Sequence, residues 1–150
     1  FEDSLRNVPA LALFMPVVAG MGGTVGTQSS TIVVRGLAVN YVETSRIGRL
    51  VAREVAIGAS LGLVYGIAVA SLSPLVGASG ADPLGLGLTI TLGMMGSMTL
   101  ASAVGTCVPL MLHRLRIDPA IATGPFVTTS VDILGLLFYF GMASLLLGKL

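Results

Sequence analysis

Four long stretches of this chain carry no charged side chain, or a single one, and that pattern limits its folding more than any other feature. They run near 8–34, 55–73, 85–112 and 121–147, and only the last contains a charge, Asp132. Crossing about 30 Å of hydrocarbon takes roughly 20 mostly apolar residues as a helix, which pairs its own backbone amides and carbonyls where no water can. The first and third stretches are long for one crossing, which implies tilt, bends or ends that project past the membrane. Pro9, Pro16 and Pro109 are candidate bends. Composition agrees: 54% of the 150 residues are hydrophobic and 10% charged, with a mean hydropathy of +0.95. The predicted fold is all-α, a polytopic helix bundle embedded in a lipid bilayer.

The net charge of +1 creates no global field that would attract nucleic acid, so the positions of the basic residues matter more than their sum. Arg35, Arg46, Arg49 and Arg53 lie between the first and second spans, and His113, Arg114 and Arg116 between the third and fourth. The loop from Ser73 to Pro83 carries Asp82 and no base. With spans alternating in direction, the basic loops (about 35–53 and 113–117) share one face, and the positive-inside rule makes it cytoplasmic. Arg35 and Glu54 are expected to anchor that interface. Both ends of the chain then lie outside a cell membrane crossed several times. An exported N-terminus with no signal peptide implies a preceding helix, so the chain reads as part of a larger protein. Cys107 is alone in an apolar run, which excludes an internal disulfide and predicts a small buried hydrophobe.

Twenty glycines fall mostly inside the spans, where small residues let helix backbones approach closely. The pattern G-x-S-x-G at Gly58–Gly62 lacks the strand-turn-helix context of a nucleophile elbow, and Ser60 reads as a small packing residue.

Asp132 carries the strongest functional signal. Thirteen uncharged residues separate it from Asp118 and sixteen from Lys149, so at 1.5 Å per residue it sits roughly 20 Å from either charged boundary. An ionised side chain at that depth costs at least about 2.5–3.5 kcal/mol, and no Lys or Arg inside a span can pair with it. A proton, a cation or water must compensate. Thr128 and Thr129 lie one helical turn before Asp132, Gly124 and Pro125 two turns before, and Gly135 one turn after. The segment TGPFVTTSVD therefore reads as a pore face, with Gly124-Pro125 breaking the helix start and freeing carbonyls. In GMGGTVGTQSST, Thr24, Gln28 and Thr31 are spaced by four and three and form a second polar stripe, while the glycines around them widen or approach the same space. All-oxygen surroundings favour a hard cation or a proton, and a sparse carboxylate in a wide polar pore suits hydrated Mg²⁺, which gives up its waters reluctantly. A pore on a two-fold axis would bring two copies of Asp132 together.

At these residues the sequence resembles the transmembrane domain of the MgtE family of magnesium channels, related to a group of animal magnesium transporters. The matching stretches are PVVAGMGGTVGTQSSTIVVRGLA, REVAIGASLG and PLMLHRLRIDPAIATGPFVTTSVDILGLLFYF, spanning Pro16–Ala38, Arg53–Gly62 and Pro109–Phe140. The resemblance implies a homodimer of five-helix subunits with the pore at the interface. This chain corresponds to helices two to five, without the first helix or the cytoplasmic regulatory domains. It further implies that Asp132 holds hydrated Mg²⁺ together with its dimer mate, that Asp118 lies near the cytoplasmic mouth, and that Thr128 marks where backbone carbonyls line the ion site. The family's usual GGNAGTQ reads GGTVGTQ here, with Thr24 in place of the amide. From its residues alone, Asp118 before Pro119 is also an ordinary turn and helix cap.

The function expected is transport of Mg²⁺ as cargo, without covalent chemistry and without an enzyme's cofactor. The alternatives are a carrier for another cation, Na⁺-coupled or broader in its divalent range, and an intramembrane aspartyl protease built on Asp118 and Asp132. A protease dyad needs carboxylates about 3 Å apart, whereas fourteen residues of one helix separate these two by roughly 21 Å.

Overall fold

The structure, a computed structural model of the chain, describes residues 9–39, 47–76 and 83–147. Arg46 and Asp82, used above to orient the loops, lie outside the described residues. Four helices account for most of the rest: α1 (Ala10–Ala38), α2 (Ile47–Leu72), α3 (Pro83–Arg114) and α4 (Pro125–Leu147). Short 3-10 turns at Ser73–Val76 and Pro119–Thr123 lead out of α2 and into α4, and no strand occurs among the described residues. All four helices are long and apolar enough to cross a membrane. The fold is all-α.

Helix ends depart from the apolar stretches where hydrogen bonding and hydropathy part company. α2 starts at Ile47, eight residues before the expected start near 55, and so includes Arg49, Arg53 and Glu54. Charged residues limit depth in a bilayer, not helicity, so a helix continues past the apolar window. α4 starts at Pro125, four residues after the expected 121. Gly124 (φ −104°, ψ −136°) breaks the chain between the 3-10 turn and the helix, and Pro125 takes the first helical position, where a missing N–H is harmless.

α3 is the central helix and packs against the other three, while α1 and α2 scarcely touch. Register follows from the closest approaches. On the α2–α3 seam, Gly58 lies against Met98 and Ser102, Gly62 against Met94 and Met95, and Gly66 against Thr91, so these helices are antiparallel. Between α1 and α3, Gly22 faces Ser97 and Gly26 faces Ala101 and Gly105, so these two are parallel. Between α1 and α4, Gly22 meets Val131 and the Tyr139 hydroxyl donates to the Leu11 carbonyl at 3.3 Å, which makes them antiparallel.

The radial distribution of side chains is that of a bilayer protein. On α2 the buried positions are Glu54, Gly58, Gly62 and Gly66, one ridge spaced by four, whereas Leu63, Val64 and Ile67 point outward. Lipid tails are as apolar as leucine, so large aliphatic side chains gain nothing by turning inward, and small ones let the helices touch. Bulky packing concentrates at one end, where Leu11, Phe14 and Val18 of α1 meet Leu86, Ile90 and Met94 of α3 and Tyr139, Phe140 and Ala143 of α4. Toward the other end a smaller cluster joins Ala101, Val127 and Val131.

Two expectations are corrected by this arrangement. Cys107 is exposed on α3 and not a buried hydrophobe, because an apolar run in a spanning helix covers outward-facing and inward-facing positions alike. Ser60 packs against nothing inward either: it is exposed, and its hydroxyl donates to the Ala56 carbonyl of its own helix at 2.8 Å.

Candidate functional site

A groove of about 510 Å³ opens along the outer surface of α1 and α4. Ala19, Gly20, Gly23, Thr24, Thr27 and Gln28 form one wall, at spacings of three and four that put them on one face of α1. Thr128 and Asp132, one turn apart on α4, form the other. The antiparallel crossing that seats Val131 against Gly22 and Gly26 in the core turns its neighbour Asp132 out into this groove, beside Gly23. An added Cβ at Gly23 would lie 3.6 Å from Asp132 Oδ1, ordinary contact distance, so the carboxylate rests beside the α1 backbone.

The hydroxyls of the groove already use their protons. Thr24 Oγ1 donates to the Gly20 carbonyl and Thr27 Oγ1 to the Gly23 carbonyl, both at 2.8 Å, and Thr128 Oγ1 donates to the Pro125 carbonyl at 3.2 Å. What they present to the groove is therefore oxygen lone pairs. No described residue supplies a hydrogen bond or a counter-charge to the Asp132 carboxylate. The result is a surface that presents oxygen acceptors around one carboxyl group.

Thr24, Gln28, Thr128 and Asp132 thus share one groove, and Thr27 joins them. Thr27 was missed because a stripe spaced by four and three from Thr24 passes over it; the glycines at 20 and 23 were the available signal, since they leave the α1 face open on that side. Thr31 and Thr129 are exposed but do not line the groove. Gly135 is buried and faces α3, where an added Cβ would press on Ser97 Oγ. Gly124 and Pro125 form the break below Thr128, with the Pro125 carbonyl engaged by that threonine. Asp118 is exposed and caps the 3-10 turn by accepting from the Ala120 amide at 2.9 Å. No group of three or more His, Cys, Asp or Glu that could hold a dehydrated metal occurs among the described residues.

Glu54 is not an interface anchor. It is 5% exposed, and Ser29 Oγ of α1 donates to its Oε2 at 3.1 Å. Arg35, by contrast, is exposed in the last turn of α1.

The bundle places the chain among multi-pass membrane proteins. The MgtE family profile, described as a divalent cation transporter, matches residues 15–142. The magnesium transporter MgtE of Bacillus subtilis is 40% identical over 144 residues, which cover 96% of this chain and 31% of that protein. Its namesake in Thermus thermophilus is 36% identical over 156 residues, 98% of this chain and 32% of that protein. That of Enterococcus faecalis is 34% identical over 145 residues, 97% of this chain and 31% of that protein. The chain belongs to the MgtE family of divalent cation transporters. It spans just under a third of the length of these relatives, which are named as transporters and not as enzymes.

Proposed function

We propose that these 150 residues belong to the membrane domain of a magnesium transporter and that the α1–α4 groove is one half of its ion pathway. The observation that carries this reading is the chemistry of the groove. Waters bound to Mg²⁺ direct their hydrogens outward, and Asp132, Gln28 and the lone pairs of Thr24, Thr27 and Thr128 offer acceptors to them. An intact hydration shell needs only such acceptors, whereas a dehydrated ion would need several direct ligands from the protein.

In this reading a second copy of the chain closes the open groove across a two-fold axis, and two Asp132 side chains face each other over the ion. The basic helix ends carrying Arg35 and Arg114 are cytoplasmic. Asp118, on the turn that leads into α4, lies at that mouth, where its remaining carboxylate oxygen attracts cations. The names of the relatives supply the identity of the ion, and the family's broader description as a divalent cation transporter favours a second reading in which Mg²⁺ shares the pathway with other divalent cations.

Mg²⁺ uptake into proteoliposomes tests the proposal. The wild type is expected to conduct and Asp132→Ala to lose flux. Undiminished flux in Asp132→Ala would remove that carboxylate from the pathway, and competition by Ca²⁺ and Mn²⁺ in the same vesicles decides between the two readings.

A further inference from the structure

Glu54 is a costly residue to find where it sits. The other three members of its ridge on α2 are glycines, which bring the α2 backbone onto α3 and carry Glu54 into the junction of α1, α2 and α3. A fourth small residue would serve packing there, and burying a carboxyl group is unfavourable unless it is hydrogen-bonded. Its partners come from both neighbouring helices. Ser29 Oγ donates to Glu54 Oε2 at 3.1 Å, and Ser102 Oγ of α3 donates to the Glu54 backbone carbonyl at 2.6 Å and stands 3.2 Å from Ser29 Oγ. Ser29 and Ser102 are 4% and 0% exposed, so these bonds lie inside the helix junction and away from the outer surface of the bundle.

α1 and α2 do not interlock around this point, and a cavity of about 250 Å³ separates them. Side-chain packing from α2 therefore does not fix the rotation of α1, and the Ser29–Glu54 bond is the described side-chain link between the two helices. Gln28, next in sequence to Ser29, lines both this cavity and the groove that holds Asp132. At a side-chain radius of about 5 Å, turning α1 by about 20° moves the Gln28 amide by roughly 2 Å.

We propose that Glu54 is a positioning residue for ion transport: through Ser29 it trims the rotation of α1, already seated on α3 and α4, so that Gln28 is presented to the cation beside Asp132. The proposal rests on the reading of the groove as the ion pathway. It uses the carboxyl group as a hydrogen-bond acceptor and not as a charge, so glutamine, whose amide oxygen also accepts from Ser29, should substitute for it.

The test is Mg²⁺ uptake by the full-length protein in proteoliposomes, as a function of Mg²⁺ concentration, for Glu54→Ala, Glu54→Gln, Ser29→Ala, the Glu54→Ala/Ser29→Ala pair and Asp132→Asn. Thermal unfolding in detergent selects the variants that fold. Glu54→Ala and Ser29→Ala are expected to raise the apparent KM by about fivefold, the equivalent of one lost hydrogen bond, with the maximal rate little changed. The pair should be no worse than either single variant, and Glu54→Gln should behave as wild type. A wild-type KM in folded Ser29→Ala, additive effects in the pair, or a folded Glu54→Gln as impaired as Glu54→Ala would each overturn the proposal. Asp132→Asn separates the two claims: if it conducts normally, the pathway reading falls and this proposal with it; if it is dead while Ser29→Ala keeps a wild-type KM, only the proposal falls.

Discussion

Asp132 is placed by its neighbours. Val131 enters the core beside Gly22 and Gly26, and the next residue on the helix must then face the groove. An ionised carboxylate at mid-membrane costs about 2.5–3.5 kcal/mol that an uncharged side chain of the same shape largely avoids. Asp132→Asn is therefore expected to leave the bundle at least as stable as wild type while it loses Mg²⁺ flux, as read by thermal unfolding in detergent alongside uptake in vesicles. A destabilised Asn variant would mean that the carboxylate holds the fold together. Asp132 was legible in the sequence because no other charge shares its span, and Thr24 and Gln28 because helical spacing aligns them. Glu54 was not. It follows Arg53 beside a basic loop, and only the glycines at 58, 62 and 66 turn it inward, a ridge whose direction emerges when α3 is seen to pack on it.

Among the elements, α2 shows most plainly what replaces a hydrophobic core in lipid. Its inward ridge is nearly all glycine, and an added Cβ at Gly62 would stand 2.8 Å from the Met94 carbonyl oxygen, backbone that cannot swing aside as a side chain can. Gly62→Leu is expected to push α2 off α3 and to cost about 1–3 kcal/mol, the usual range for overpacking. Leu63→Ala, on the outward face, should cost far less. A comparison of unfolding midpoints in detergent checks both, and equal losses would contradict the packing described here. The number and order of the helices were legible from hydropathy alone. Their ends were less so, because α2 continues through three charged residues and α4 waits for the break at Gly124, features set by backbone hydrogen bonding and not by polarity.

For the whole molecule, the bundle leaves the groove that holds Asp132 open on one side. In a soluble protein such a groove would face water; here it belongs to helices that cross lipid, and α3, the helix that binds the bundle together, lies behind it. A second copy with the same groove would enclose a wet, acidic passage, and the proposed pathway therefore calls for a dimer. The most direct measurement of whether cations enter that space is chemical modification of a cysteine placed in it. In a Cys107→Ser background, Thr128→Cys in proteoliposomes should react with a membrane-impermeant thiol reagent, and Mg²⁺ should slow that reaction when Asp132 is present and not in Asp132→Asn. A cysteine that never reacts, or one protected equally by Mg²⁺ with and without the carboxylate, would contradict a water-filled path governed by Asp132.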